Sequence, residues 1–193
     1  LEKNAFKTKR DMKRIIKADL FRYGGLSSTK DFTKGLLIPG FRFVFLLRMA
    51  SNCKKYSFMW FFYSFLKNRY SYKYGFQINN VTEIGEGLFI GHRGTIVING
   101  NAKIGKNCNI SHGVTIGQAN RGKLKGYPAI GDNVWIGTGA VIIGNIKIGS
   151  NVLIAPNSFV NIDVPENSLV VGNPCKIVHK EKPCEGYINY VLE

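Results

Sequence analysis

Only three histidines occur in the 193 residues, His92, His112 and His179. Imidazole is the side chain best suited to taking and returning a proton near neutral pH. His92 lies two residues after Ile90, and His112 lies two residues after Ile110. Two imidazoles, each following an isoleucine at the same offset, make a candidate proton-transfer site if the fold brings them to one edge. The competing reading is that each ring merely hydrogen-bonds at a turn.

The element that must position them is a ladder of isoleucines. Ile78, Ile84 and Ile90 are six apart, as are Ile104, Ile110 and Ile116, and again Ile130, Ile136, Ile142, Ile148 and Ile154, which Val160 extends. The next residue is usually small, as at Gly85, Gly105, Ser111, Gly117, Gly131 and Gly137. A period of six fits neither the 3.6 of a helix nor the 2 of an ordinary strand. It is the signature of a parallel β-helix, in which three hexads close a triangular coil of about 18 residues and each coil stacks on the last. Each rung points into a narrow core, and the small residue behind it lets the backbone turn where a bulky Cβ would clash. Chance enrichment in a β-sandwich does not produce twelve rungs in phase.

The ladder is interrupted twice. Ile90 to Ile104 spans 14 residues, and so does Ile116 to Ile130. The second interruption, residues 118–127 (QANRGKLKGY), is polar, basic and glycine-containing, and is expected to leave the coil as a loop. His92 lies in the first interruption, 20 residues before His112. That count puts His112 one coil beyond His92 on the same edge, about 5 Å away by inter-strand spacing, beside the extruded loop.

Residues 1–76 form a basic, aromatic-rich helical domain, 77–164 the β-helix, and 165–193 a capping tail for the last open edge. Residues 1–77 carry 17 Lys+Arg against 4 Asp+Glu, while 78–193 carry 10 against 8, so the net charge of +15 resides mostly in the helical part. Such a segment suits anionic partners, but it holds no zinc-finger, RNP or helix-turn-helix signature, and nucleic acid is not expected. Helices are expected at 6–22, stopped by Gly24 and Gly25, and at 41–50 and 56–67, with a loop over 26–40. The third helix is strongly aromatic yet too short to span a bilayer. Burial against other helices or a neighbouring subunit is the favoured reading, and peripheral contact with the inner face of the cytoplasmic membrane is the alternative. Residues 1–14 lack the apolar core of a signal peptide, and Cys53, Cys108, Cys175 and Cys184 show no C-x-x-C spacing. Both point to a cytoplasmic protein with reduced thiols.

Residues 78–178 resemble a hexapeptide-repeat acyltransferase, and more narrowly the serine acetyltransferase family. The resemblance rests on IGEGLFIGHRGTIVI, ISHGVTIG, YPAIGDNVWIGTGAVIIGNIKIGSNVLIAPNSFV and VVGNPCKIV, with DLFRYGG resembling that family's N-terminal portion. It implies a left-handed coil, a homotrimer with sites between subunits, acetyl-CoA as co-substrate and no metal. By position His92 matches the family's catalytic base. Gln77 stands where the family has an orienting Asp, and still offers a carbonyl to fix the imidazole tautomer. His112 would shape the acceptor side, with Asn79, Arg93 and Tyr127. The pantetheine arm would meet Gly117, Thr138 and Pro156, and the nucleotide phosphates Lys176 and Lys180.

The chain also departs from the family. An acid expected just before the base is Gly91, and an Arg-His pair expected after the long loop is Gly126 and Tyr127. Those groups hold an amino-acid acceptor, so the favoured acceptor here is a sugar hydroxyl in surface polysaccharide synthesis, with serine as the alternative. A zinc lyase on the same coil would need three imidazoles per site, and His179 lies beyond the coil. A non-catalytic trimeric assembly protein is the remaining alternative.

Overall fold

The computed structural model describes residues 9–192. Four helices precede the coil: α1 (Lys9–Phe21), α2 (Thr29–Leu37), α3 (Pro39–Asn52) and α4 (Phe58–Tyr74). The first three residues of the helix expected over 6–22 lie outside the described residues.

Helix α2 replaces the loop expected over 26–40. Ser28 caps it: its Oγ accepts the Asp31 N–H at 3.1 Å, and the Asp31 carboxylate accepts the Ser28 N–H at 3.1 Å. The Ser28 hydroxyl also donates to that carboxylate at 2.7 Å, and this bond, with the Ser28 N–H, holds the Asp31 carboxyl down at about 2. Pro39, with no N–H to lose, opens α3.

Helix α4 runs seven residues past its expected end and stops at Gly75, whose φ of 81° supplies the left-handed cap. Its rings are not buried against the chain's other helices, one of the two burials expected for it. Its buried residues are Ser64, Lys67 and Tyr74, whereas Phe58, Phe61, Phe62 and Phe65 are exposed to solvent in the chain.

Beyond Gly75 the chain winds into a left-handed parallel β-helix of about five turns with three faces. The first face stacks Phe76–Ile78, Ile96–Ile98, Thr115–Gly117, Val141–Ile143 and Phe159–Val160. The second stacks Glu83–Ile84, Lys103–Ile104, Ala129–Ile130 and Lys147–Ile148. The third stacks Phe89–Ile90, Asn109–Ile110, Val134–Ile136, Val152–Ile154 and Ser168–Val171. The isoleucine rungs and Val160 fill one continuous apolar core. The small residues act through close approach: a Cβ on Gly85 would lie 2.6 Å from the Gly105 carbonyl carbon one coil below. The left-handed backbone at that corner is taken by Asn107, Asn133, Asn151 and Asn167, with φ between 54° and 55°.

The tail contributes Lys176–His179, antiparallel to Ser168–Val171, as the last strand of the third face. It then runs back along that face. The Tyr187 ring lies 4.8 Å from that of Trp135, the Asn109 side chain donates to the Tyr187 carbonyl, and Arg22 donates to the Asn189 carbonyl. The segment is therefore a strap from the last coil to the helices as well as an end piece.

A buried ion pair docks the helices on the first coil. Arg48 of α3 donates to Asp19 of α1 at 2.9 Å and to the Ile84 carbonyl at 2.6 Å. Asp19 in turn accepts the Gly87 and Leu88 N–H groups at 2.8 and 2.9 Å. Every charge is thus met by hydrogen bonds, the condition under which a buried pair is tolerated.

Candidate active site

The corner joining the third face to the first carries both imidazoles. Ile90 lies opposite Ile110, Ile110 opposite Ile136 and Ile136 opposite Ile154. Two residues further on, His92, His112, Thr138 and Pro156 follow one another down the corner, one per coil. The His92 and His112 ring centroids are 5.8 Å apart with planes at 83°, an edge-to-face pair. Both histidines are exposed within the chain.

The two extra residues of the first coil shape this pair. Counted back from the strand that follows, Gly94 and not His92 stacks on His112. Gly94 has φ of 137°, and a Cβ there would come 3.0 Å from the His112 Cβ. Glycine lets the turn lie flat on His112, and the two-residue bulge carries His92 and Arg93 outward. Arg93 makes no ion pair among the described residues.

The strand before His92 is held from outside the coil. Its N–H and C=O at Ile90 both meet the Tyr23 hydroxyl, at 3.2 and 3.3 Å. Gly40 of α3 lies flat against the same carbonyl; a Cβ there would be 1.9 Å from the Ile90 oxygen. Burial pushes the Tyr23 phenol well above its ordinary range, so it stays protonated and can donate. Neither residue stood out in sequence, although Tyr23 lies within the DLFRYGG stretch.

The remaining candidates divide between this corner and other places. Gln77 is on the outer surface of the first face, opposite Val97, and makes no hydrogen bond to His92. Asn79 and Gly117 lie at the far end of the first-face strands, and Tyr127 closes the loop that leaves there. That loop is pinned by an Ala119–Gly126 bridge and by the Asn145 N–H donating to the Leu124 carbonyl at 2.8 Å. Within one chain the loop is therefore not beside the imidazoles but across the first face from them. Lys176 and Lys180 are exposed in the tail. His179 lies opposite Ser168 on the last strand of the third face, away from the His92 corner. Within one chain the third imidazole of the zinc-lyase alternative therefore does not join this corner. A groove of about 680 Å³ crosses the second face near Lys147, Asp163 and Glu166, on a face that holds neither imidazole. Among the described residues no three His, Cys, Asp or Glu gather as a metal-binding group.

Comparison with known proteins agrees with the fold and the repeat. The family described as bacterial transferase hexapeptide (six repeats) matches residues 127–161. The chain belongs to the serine acetyltransferase family of hexapeptide-repeat proteins. It is 34% identical to the Neisseria gonorrhoeae serine acetyltransferase solved in complex with serine, covering 88% of this chain and 70% of that one with a TM-score of 0.71. The Brucella abortus serine acetyltransferase solved with coenzyme A is 29% identical, covering 89% and 69% with a TM-score of 0.73. The Staphylococcus aureus serine acetyltransferase is 46% identical over 107 residues, 55% of this chain and 50% of that protein. The chain spans between 32% and 50% of the length of the curated relatives it matches.

Proposed function

We propose that the chain is an acetyl-CoA-dependent O-acetyltransferase whose acceptor is the hydroxyl of serine and whose general base is His92. The observation that carries the reading is the corner on which an outward-bulged imidazole stands one coil above His112, with Thr138 and Pro156 below it. Relatives whose structures hold serine or coenzyme A support both substrates. This shifts the acceptor from the sugar favoured by sequence to the serine alternative.

An imidazole nitrogen of His92 takes the hydroxyl proton as the oxygen attacks the thioester carbon. Backbone N–H groups at the turns hold the resulting oxyanion. Its collapse expels the CoA thiolate, which receives the proton, leaving the O-acetyl ester and free CoA thiol. His112 lines the acceptor side with Arg93, Asn79 and Tyr127. Gln77 of a neighbouring copy steadies the imidazole, and Gly117, Thr138, Pro156, Lys176 and Lys180 meet the acetyl-CoA.

Those groups occupy opposite ends of the first-face strands, so one chain does not gather them. A cytoplasmic homotrimer does, with the loop of one copy closing the His92 corner of the next.

A sugar hydroxyl is the second reading. It rests on Gly91, Gly126 and Tyr127, which leave the corner without the acid and the Arg-His pair suited to an amino acid. Thiol release from acetyl-CoA, followed with millimolar serine and with free and nucleotide-linked sugars in parallel, separates the two. Turnover with serine supports the proposal; turnover with sugars alone overturns its acceptor.

A further inference from the structure

Helix α4 turns most of its phenylalanines outward. Its inward positions carry Tyr70 and Tyr74 against the core towards its end, and polar groups further up: Ser64 Oγ accepts from the Asn80 side chain, and the buried Lys67 ammonium donates to the Ile78 carbonyl at 3.2 Å. Its outward positions carry Phe58, Phe61, Phe62 and Phe65, spaced i, i+3, i+4 and i+7, with Phe58 81% and Phe65 68% exposed. An exposed stripe of four phenylalanines is far from the ordinary scatter of single apolar residues on a surface. Cations flank it, Lys54 and Lys55 before the helix and Arg69 and Lys73 in its last turns, and all four are exposed. None of these four is in an ion pair among the described residues. No Asp or Glu occurs between Asp31 and Glu83.

We propose that this face of α4 docks on a bilayer surface that carries anionic headgroups, with the phenyl rings in the interfacial region and the flanking cations on the phosphates. Aromatic rings and Lys/Arg side chains are the groups that settle at that depth. A second copy of the chain is the weaker occupant, because stripe-to-stripe packing sets cation against cation with no carboxylate in residues 32–82 to neutralise them. A spanning role is excluded for α4, since among the described residues no helix is long and apolar enough to cross a membrane. Docking also fixes the position of the His92 corner. The last residue of α4, Tyr74, accepts the Gly94 N–H at 3.0 Å, so the helix end is tied directly to the turn that carries His92.

The test is flotation of the full chain with phosphatidylcholine vesicles, with and without about 30% phosphatidylglycerol, an anionic surface that attracts basic segments. The expected result is flotation with the anionic vesicles and at least about tenfold weaker binding to the neutral ones, since each exposed Lys or Arg adds to the attraction. Phe61→Ser/Phe65→Ser changes only exposed positions and should abolish flotation while leaving the melting temperature unchanged. Lys54→Glu/Lys55→Glu should remove the preference for phosphatidylglycerol. Wild-type protein that stays at the bottom of the gradient, or a phenylalanine variant that floats as well as wild type, overturns the proposal. So does a phenylalanine variant that sediments as a smaller oligomer when wild type binds no vesicles, because a second copy then covers the stripe.

Discussion

The Tyr23 hydroxyl meets both the N–H and the C=O of Ile90, at 3.2 and 3.3 Å, two residues before His92. The first coil has no coil above it, so Phe89–Ile90 pairs with Asn109–Ile110 on one side and with no strand on the other. A side chain from the turn after α1 takes the place of the missing strand and holds the segment that leads into the imidazole corner.

Replacing Tyr23 by Phe keeps the ring contacts with Phe41 and Phe89 but leaves two buried backbone groups without a partner. Stability is expected to fall by about 1–3 kcal/mol. The rate of thiol release should fall with little change in the KM for acetyl-CoA, since the residue acts only through the strand before His92. Denaturant unfolding together with steady-state kinetics checks both.

Arg48→Met is expected to cost about 3–5 kcal/mol, because it leaves the Asp19 carboxylate buried beside α3 without its cation. Asp19 retains the Gly87 and Leu88 N–H donors, so the double variant Asp19→Asn/Arg48→Met should recover part of the loss. A double-mutant cycle on urea midpoints measures the coupling.

Burial lifts the Cys108 thiol from 9.0 to about 12, where its nearest acceptors are the Gly131 and Lys106 carbonyls. The folded state therefore holds this proton after the unfolded chain has lost it. Its contribution is fully present below about pH 9 and declines as the pH rises from there towards 12. At pH 8 Cys108 should react with a thiol reagent only on unfolding, whereas the partly exposed Cys53 and Cys175 should react in the native protein. Peptide mapping of the labelled cysteines distinguishes the sites.

Much of this was legible in the sequence because the six-residue period repeats often enough to fix coil, face and corner. The residue count between Ile90 and Ile110 pairs His92 with His112 from the sequence alone. The helical part was less legible. The α2 cap, Ser28 with Asp31, was present in the sequence, but a nine-residue helix with few apolar positions gives little periodicity to find. The aromatic run of α4 is expected to pack against other helices or a neighbouring subunit because rings usually pack; its place on the outside of the chain depends on Lys67 and Ser64 finding partners on the first coil, which no pattern of types reveals. The extruded loop was expected beside His92 because the β-helix count gives level along the axis, whereas its corner follows only from which strand it leaves.

The most direct measurement is the rate of acetyl-CoA-dependent thiol release by His92→Ala beside wild type, with serine as acceptor and with matched melting curves. His92 is exposed on a turn, so the fold should be unaffected, and the loss of a general base predicts a fall of about 10²–10⁴-fold. A variant that folds like wild type and turns over at the wild-type rate would contradict the assignment of this imidazole as the base.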